Sequence, residues 1–249
     1  MNDNVISFEQ FEKFRVEIVK PPMGKVYLVD SMRNPELTVA RLCEGYEGIY
    51  GDLYFPTEKE IAKAFDDVKR TKLQTPMEMI YTVWLITGVT RAFTHQLVRT
   101  RLASYVQESM RFMGHKGVYQ ILATGAVARN DDDNVYDDAI LNSIRAYEKL
   151  LEDGIPAEDA RGVLPTNILT SIYVGIPLNS LMHIYEQRVC CQAQQGEWVP
   201  ILQQMKELLR TEVSEKVAGL LTAPYERGEP CGYNASFDRP CTWRKDSHG

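Results

Sequence analysis

The sequence of 249 residues contains no apolar run near the roughly 18 residues that cross a bilayer, so no membrane span and no membrane partner are expected. The first residues, MNDNVISFEQFEKF, lack a basic start followed by an apolar stretch, and no secretory signal is expected. Cysteines are few and odd in number, five in all, with Cys190 and Cys191 adjacent and none in C-x-x-C spacing; a reducing cytoplasm is the expected location. There is no internal repeat and no low-complexity tract. An excess of positive charge is also missing: 28 Lys and Arg stand against 34 Asp and Glu, a net charge of −6. That balance excludes a generally basic nucleic-acid coat and makes nucleic acid an unexpected partner. What remains is ordinary globular composition, 44% apolar and 25% charged, long enough to bury a core without staples. A single domain over 1–249 is expected, with 224–249 as a surface tail.

Local patterns give a mixed α+β reading. KVYLVD (Lys25 to Asp30) reads as a strand and Pro35 to Cys43 as a short helix. Thr57-x-x-Glu60 is a capping box that opens a helix to Arg70. Met79 to Ile86 and Ile168 to Ile176 are β-branched or apolar, and read equally as strand or as buried helix. A helix is predicted over Val89 to Thr100, followed by an irregular polar segment to Arg111. Tyr136, Ile140, Ile144, Tyr147 and Leu151 keep helical spacing up to a stop at Gly154. A short helix follows Pro156. Leu178 to Cys190 reads as a helix capped by Asn179, and Trp198 to Leu220 as one long amphipathic helix, its stripe being core or subunit interface. The regular strand–helix alternation of a doubly wound sheet is absent, so the expected architecture is a mixed sheet with long helices.

Charge is unevenly distributed. From Met79 to Asn130 the basic residues are Arg91, Arg99, Arg101, Arg111, Lys116 and Arg129, with Glu108 the only acid. Pairing with the acidic remainder of the chain would explain such a run. The spacing suggests more. In RTRLASYVQESMRF, Arg99 and Arg101 are two apart, as are Ser109 and Arg111; if extended, each pair points to one side. Guanidinium groups with a hydroxyl make a phosphate cradle. Gln96, one helical turn before Arg99, can add an amide suited to a base or sugar edge. The set fits a nucleoside monophosphate better than a strand, which would want repeated aromatics beside a basic track.

These residues resemble a known family. Arg99-x-Arg101, seven residues, then Ser109 has the spacing of the flavin-dependent thymidylate synthase signature, Arg-His-Arg-x7-Ser. Thr75-Pro76 with Glu78 resembles the family's Thr-Pro-x-Glu, and Gln96 and Arg111 stand at the expected offsets. Ala160-Arg161-x-Val163-Leu164-Pro165 with Asn167, then Ser180-Leu181-Met182 followed by Arg188 and Ala193-Gln194, resemble two downstream blocks. The resemblance implies a homotetramer of mixed α/β subunits with shared active sites. It implies FAD as cofactor, methylenetetrahydrofolate and NADPH as cosubstrates, and conversion of dUMP to dTMP without a cysteine nucleophile. By position, Gln96, Arg99, Gln107, Ser109, Arg111 and Arg161 would hold the nucleotide. Arg188 would lie on the pyrimidine as the catalytic cation, stabilising charge as N3 loses its proton. Thr75, Glu78, Arg99, Thr100, Arg101, Asn179 and His183 would lie on the flavin side.

Several positions depart from the family pattern. Thr100 replaces the central histidine and Gln107 an acid. Leu73, Pro177 with Asn179, His183 and Gln192 replace other expected residues. Most departures lie on the flavin side. Two alternatives follow: a dUMP or dCMP hydroxymethylase on the same scaffold, or a non-catalytic nucleotide- or nucleic-acid-binding relative. His95 is expected to pack or hydrogen-bond structurally. Ser109 lacks a neighbouring base that would make it a nucleophile. Cys231, Cys241 and His248 match no zinc-ligand spacing, and no metal is expected.

Overall fold

A computed structural model describes residues 5–10, 15–20, 24–49, 55–71, 74–111, 118–123, 127, 134–191, 193, 196–229 and 243. Leu73, Lys116, Arg129, Gln192, Gln194, Cys231, Cys241 and His248 lie outside the described residues. The chain forms two compact interleaved units: Met1–Lys25, Ile86–Arg99 and Val106–Ile172 make the first, and Val26–Leu85, Thr100–Tyr105 and Tyr173–Gly249 the second.

In the first unit, β1 (Val5–Gln10) pairs antiparallel with β2 (Arg15–Val19), which pairs in parallel with β6 (Val118–Leu122). The β2–β6 register runs from Arg15 opposite Val118 to Val19 opposite Leu122. Behind this sheet lies α5 (Val135–Glu152). Its Ile140, Ile144 and Tyr147 form one core with Val16, Ile18, Tyr119, Ile121, Ala160 and Ile168. The expected helix from Tyr136 is therefore present, and Gly154 (φ 83°) ends it in a conformation that glycine adopts without strain. The same unit holds α4 (Arg91–Leu97), the short α6 (Ala157–Ala160) and a 3₁₀ turn (Arg161–Val163).

The second unit contains β3 (Lys25–Ser31), α1 (Pro35–Gly45), α2 (Glu58–Thr71), α3 (Thr75–Glu78), α7 (Leu178–Arg188), α8 (Trp198–Leu208) and α9 (Glu215–Ala218). The predicted capping box forms: Thr57 N–H donates to Glu60 Oε2 at 2.7 Å and Glu60 N–H to Thr57 Oγ1 at 3.4 Å. A second sheet has the order β3-β4-β7-β5, with β4 at Tyr81–Thr90, β5 at Ser104–Gln107 and β7 at Leu169–Pro177. Both ambiguous segments are thus strands. In each, burial alternates: Thr82, Trp84 and Ile86 face in from β4, and Ile172, Val174 and Ile176 from β7. The opposite face carries Tyr27, Val29, Tyr81 and Tyr173, all at least 40% exposed.

Three expectations are corrected. The helix over Val89 to Thr100 is only Arg91–Leu97, because Val89 and Thr90 belong to β4 and the Thr90 hydroxyl accepts from Phe93 N–H as the cap. Asn179 does not cap α7; Pro177 occupies that place, and Asn179 Oδ1 accepts from Ser180 N–H at 2.7 Å. The long helix from Trp198 is broken. A π-helical turn (Leu209–Val213) follows α8, and Ser214 stands extended before α9, accepting from Val217 N–H. Among the described residues no helix is long and apolar enough to cross a membrane.

Candidate functional site

The sheet of the first unit and α5 support a cluster of cations. Ala160 is buried in the core, which fixes the turn that begins at Arg161. Ser143 of α5 donates to the Val163 carbonyl and secures the other end of that turn. The segment after it is tied to the start of α4: Arg91 N–H donates to the Ile168 carbonyl at 3.1 Å and Ala92 N–H to the Thr166 carbonyl at 3.0 Å. Arg91 and Arg161 are thereby brought near one another. The Arg91 guanidinium is pushed below its ordinary pKa, first by burial and then by the charge of Arg161. It donates to the Glu108 carbonyl, yet its Nε is buried with no partner.

Arg111 joins through Glu158. Its guanidinium lies 3.1 Å from Glu158 Oε2, while Arg161 Nε donates to the Glu158 backbone carbonyl at 3.0 Å. Arg111 N–H also donates to Ser109 Oγ at 3.3 Å. Gln107 hangs from α4, its Nε2 donating to Thr94 Oγ1 at 2.7 Å, and Glu108 N–H donates to the Ser171 carbonyl at 3.0 Å. Gln96 lies on α4, and its carbonyl accepts from Arg99 N–H at 3.3 Å. Neither pair meets the condition of being extended: a turn follows α4 through Arg99 and Arg101, with Leu102 at φ 61°, and Ser109 and Arg111 share a hydroxyl-closed turn. Chain reversal, rather than strand alternation, directs these side chains.

Arg111 contacts the Glu158 carboxylate, Arg161 contacts the backbone carbonyl of the same residue, and Arg91 lies close enough to Arg161 to feel its charge. Such a grouping of guanidiniums suits an anion. In the sequence Arg91 is one member of the basic run with no role of its own, and Glu158 has none. Arg91 precedes the motif by a full helix, and nothing local in the sequence marks Glu158 as the link.

In the second unit, α3 presents Thr75 and Glu78 at its exposed surface and packs against α7. Leu178 N–H donates to the Ile80 carbonyl at 2.7 Å, joining α7 to the end of α3. His183 Nε2 lies 2.9 Å from the Gln187 amide on the same helix. Arg188, the last residue of α7, stacks its guanidinium 5.0 Å over the buried Trp198 ring, an interaction not anticipated from the sequence. The Thr100 carbonyl accepts from Tyr105 OH at 3.2 Å. Arg99 and Arg101 are exposed, and among the described residues neither guanidinium has an ion pair.

A family model described as thymidylate synthase complementing protein matches residues 27–213. The flavin-dependent thymidylate synthase of Geobacter sulfurreducens is 32% identical over 225 residues, covering 86% of this chain and 97% of that protein. The enzyme of the same name from Clostridium tetani is 29% identical over 189 residues, covering 68% of this chain and 76% of its own. Among solved structures, the UMP/dUMP methylase PolB of Streptomyces cacaoi, bound with 5-Br dUMP, superposes with a TM-score of 0.67 at 18% identity. It covers 81% of this chain and 95% of that one, which bears out the expected mixed fold. The matched span includes every motif that carried the resemblance, and the chain belongs to the thymidylate synthase complementing protein family.

Proposed function

We infer that the protein is a flavin-dependent thymidylate synthase, converting dUMP to dTMP with methylenetetrahydrofolate as carbon donor and NADPH as reductant. The observation that carries this reading is the grouping of Arg111 and Arg161 on Glu158 with Arg91 close to Arg161, which would supply the charge and the forked donors for a nucleotide phosphate. Ser109 retains a hydroxyl proton to donate, and Gln96 and Gln107 offer amides to the sugar or base. Arg188 serves as the cation that stabilises the ring as N3 loses its proton. Its guanidinium is held over the Trp198 face and so is preorganised, which favours charge developing late over charge already present.

By family position Arg99 and Arg101 would hold FAD, with Thr75, Glu78, Thr100, Asn179 and His183 as its further contacts, and FAD would supply the reducing equivalents. The described cysteines suit a route without thiol attack: burial, then the charges of Asp67 and Glu44, push the Cys43 thiol up, and Cys190 and Cys191 are buried in a cluster with Ala193, Tyr225 and Trp243. The expected assembly is a homotetramer with shared active sites, for which the face bearing Tyr27, Val29, Tyr81 and Tyr173 offers an exposed apolar surface.

The replacement of the signature histidine by Thr100 motivates the hydroxymethylase as the second reading. Product mass separates the two. Titration of dUMP into Arg111→Ala tests the phosphate site: we expect about thirtyfold weaker binding, roughly 2 kcal/mol for a charge-assisted contact. Unchanged affinity would remove the basis of the assignment.

A further inference from the structure

We propose that Thr94 is a positioning residue that turns the Gln107 amide so that its carbonyl oxygen, an acceptor, is offered to the nucleotide and takes the proton of the deoxyribose hydroxyl. This rests on the nucleotide-site reading above and gives one position of that site a fixed polarity. Thr94 lies in α4 at 0% exposure. Its hydroxyl donates to the Arg91 carbonyl at 3.1 Å. A hydroxyl has one proton, so toward Gln107 the same oxygen can only accept. Gln107 Nε2 meets it at 2.7 Å. With the nitrogen anchored there, Oε1 is left for other partners, and among the described residues no hydrogen bond reaches it. A flip of the amide would set Oε1 against the Thr94 oxygen, two acceptors in contact, unless Thr94 gave up its bond to Arg91.

The chain just after Gln107 is tied down as well: Glu108 N–H donates to the Ser171 carbonyl at 3.0 Å, and the Glu108 carbonyl accepts from the Arg91 guanidinium. Gln107 stands two residues before Ser109, whose hydroxyl closes the turn to Arg111 in the proposed anion site. In a deoxynucleoside monophosphate the sugar hydroxyl is the donor nearest the phosphate, and base N3–H lies beyond the sugar. An acceptor beside the anion site therefore suits the sugar. The acid that Gln107 replaces offers acceptors alone when ionised. The bond to Thr94 gives the neutral amide that polarity without placing a negative charge beside a phosphate.

The test compares dUMP with 2′,3′-dideoxyuridine monophosphate, which lacks the sugar hydroxyl, by calorimetric titration of the full chain. We expect a preference for dUMP of about fivefold, the worth of one neutral hydrogen bond. Thr94→Val keeps the side-chain shape and removes the hydroxyl. It should bring the preference within about twofold by weakening dUMP alone, and Thr94→Ser should restore it; thermal melting confirms that both variants fold. Equal weakening of both ligands would mean that Thr94 only supports the fold. No preference in the unaltered chain, or one that survives Thr94→Val, would mean that Thr94 does not aim an acceptor at the hydroxyl. A Thr94 dependence abolished by N3-methylation of dUMP, and not by loss of the hydroxyl, would put the acceptor on the base. Each of these results overturns the proposal and leaves the nucleotide site standing, whereas failure of the chain to bind dUMP at all refutes both.

Discussion

Glu148 illustrates how a single side chain couples the core to pH. It projects from α5 at 7% exposure with Oε1 unpartnered. Burial, then the charge of Glu152, raises its pKa from 4.5 to about 8. The folded chain therefore binds a proton that the unfolded chain has released, throughout the interval between those values. Stability from this group is complete below the unfolded value and is lost as pH rises through the folded one. Glu148→Gln is expected to leave the melting temperature nearly unchanged at pH 5 and to raise it at pH 8.5, flattening the profile. Parallel profiles for the two proteins would show that Glu148 is not neutral in the fold. No sequence pattern reveals this group: Glu148 follows Tyr147 in a helix rich in charge, and only the packing of α5 on its sheet turns that position inward.

At the scale of elements, local signals were readable and long-range ones were not. Thr57 with Glu60, and Gly154 after α5, act through neighbours a few residues away, and both behave as their spacing implied. The break between α8 and α9 escaped because its cause lies far off in sequence. Ser214 caps Val217 N–H at 3.1 Å and also donates to Glu36 Oε1 at 2.5 Å, while Lys216 Nζ contacts the other Glu36 oxygen at 2.6 Å. The apolar stripe continues across the break through Leu209 and Val217, so periodicity alone reads one helix. Strand β6 was likewise invisible, since its partner β2 is about a hundred residues away. Ser214→Ala removes a cap and a buried hydrogen bond; a loss of about 1–2 kcal/mol is expected. For a chain of this size that lowers the melting temperature by about 2–8 °C. No measurable change would mean that water replaces both contacts.

Across the whole molecule, the proposed site residues divide as the two units do. Gln96, Arg99, Gln107, Ser109, Arg111 and Arg161 belong to the first, and Thr75, Glu78, Thr100, Arg101, Asn179, His183 and Arg188 to the second. The motif arginines were visible because charge of one sign is concentrated in an acidic chain. Arg91 and Glu158 join the proposed anion site only once the turn at Arg161 is set against α4, a placement that folding creates and spacing does not encode. The departure at Thr100 lies on the flavin side of the proposed site and so concerns the chemistry that follows nucleotide binding, which makes the nature of the product the decisive question. The protein, supplied with dUMP, methylenetetrahydrofolate, FAD and NADPH, should yield a nucleotide heavier than dUMP by one methylene, and should yield none when the folate is omitted. Recovery of unaltered dUMP from the complete mixture, or of a hydroxymethyl nucleotide in place of dTMP, would contradict the proposed reaction.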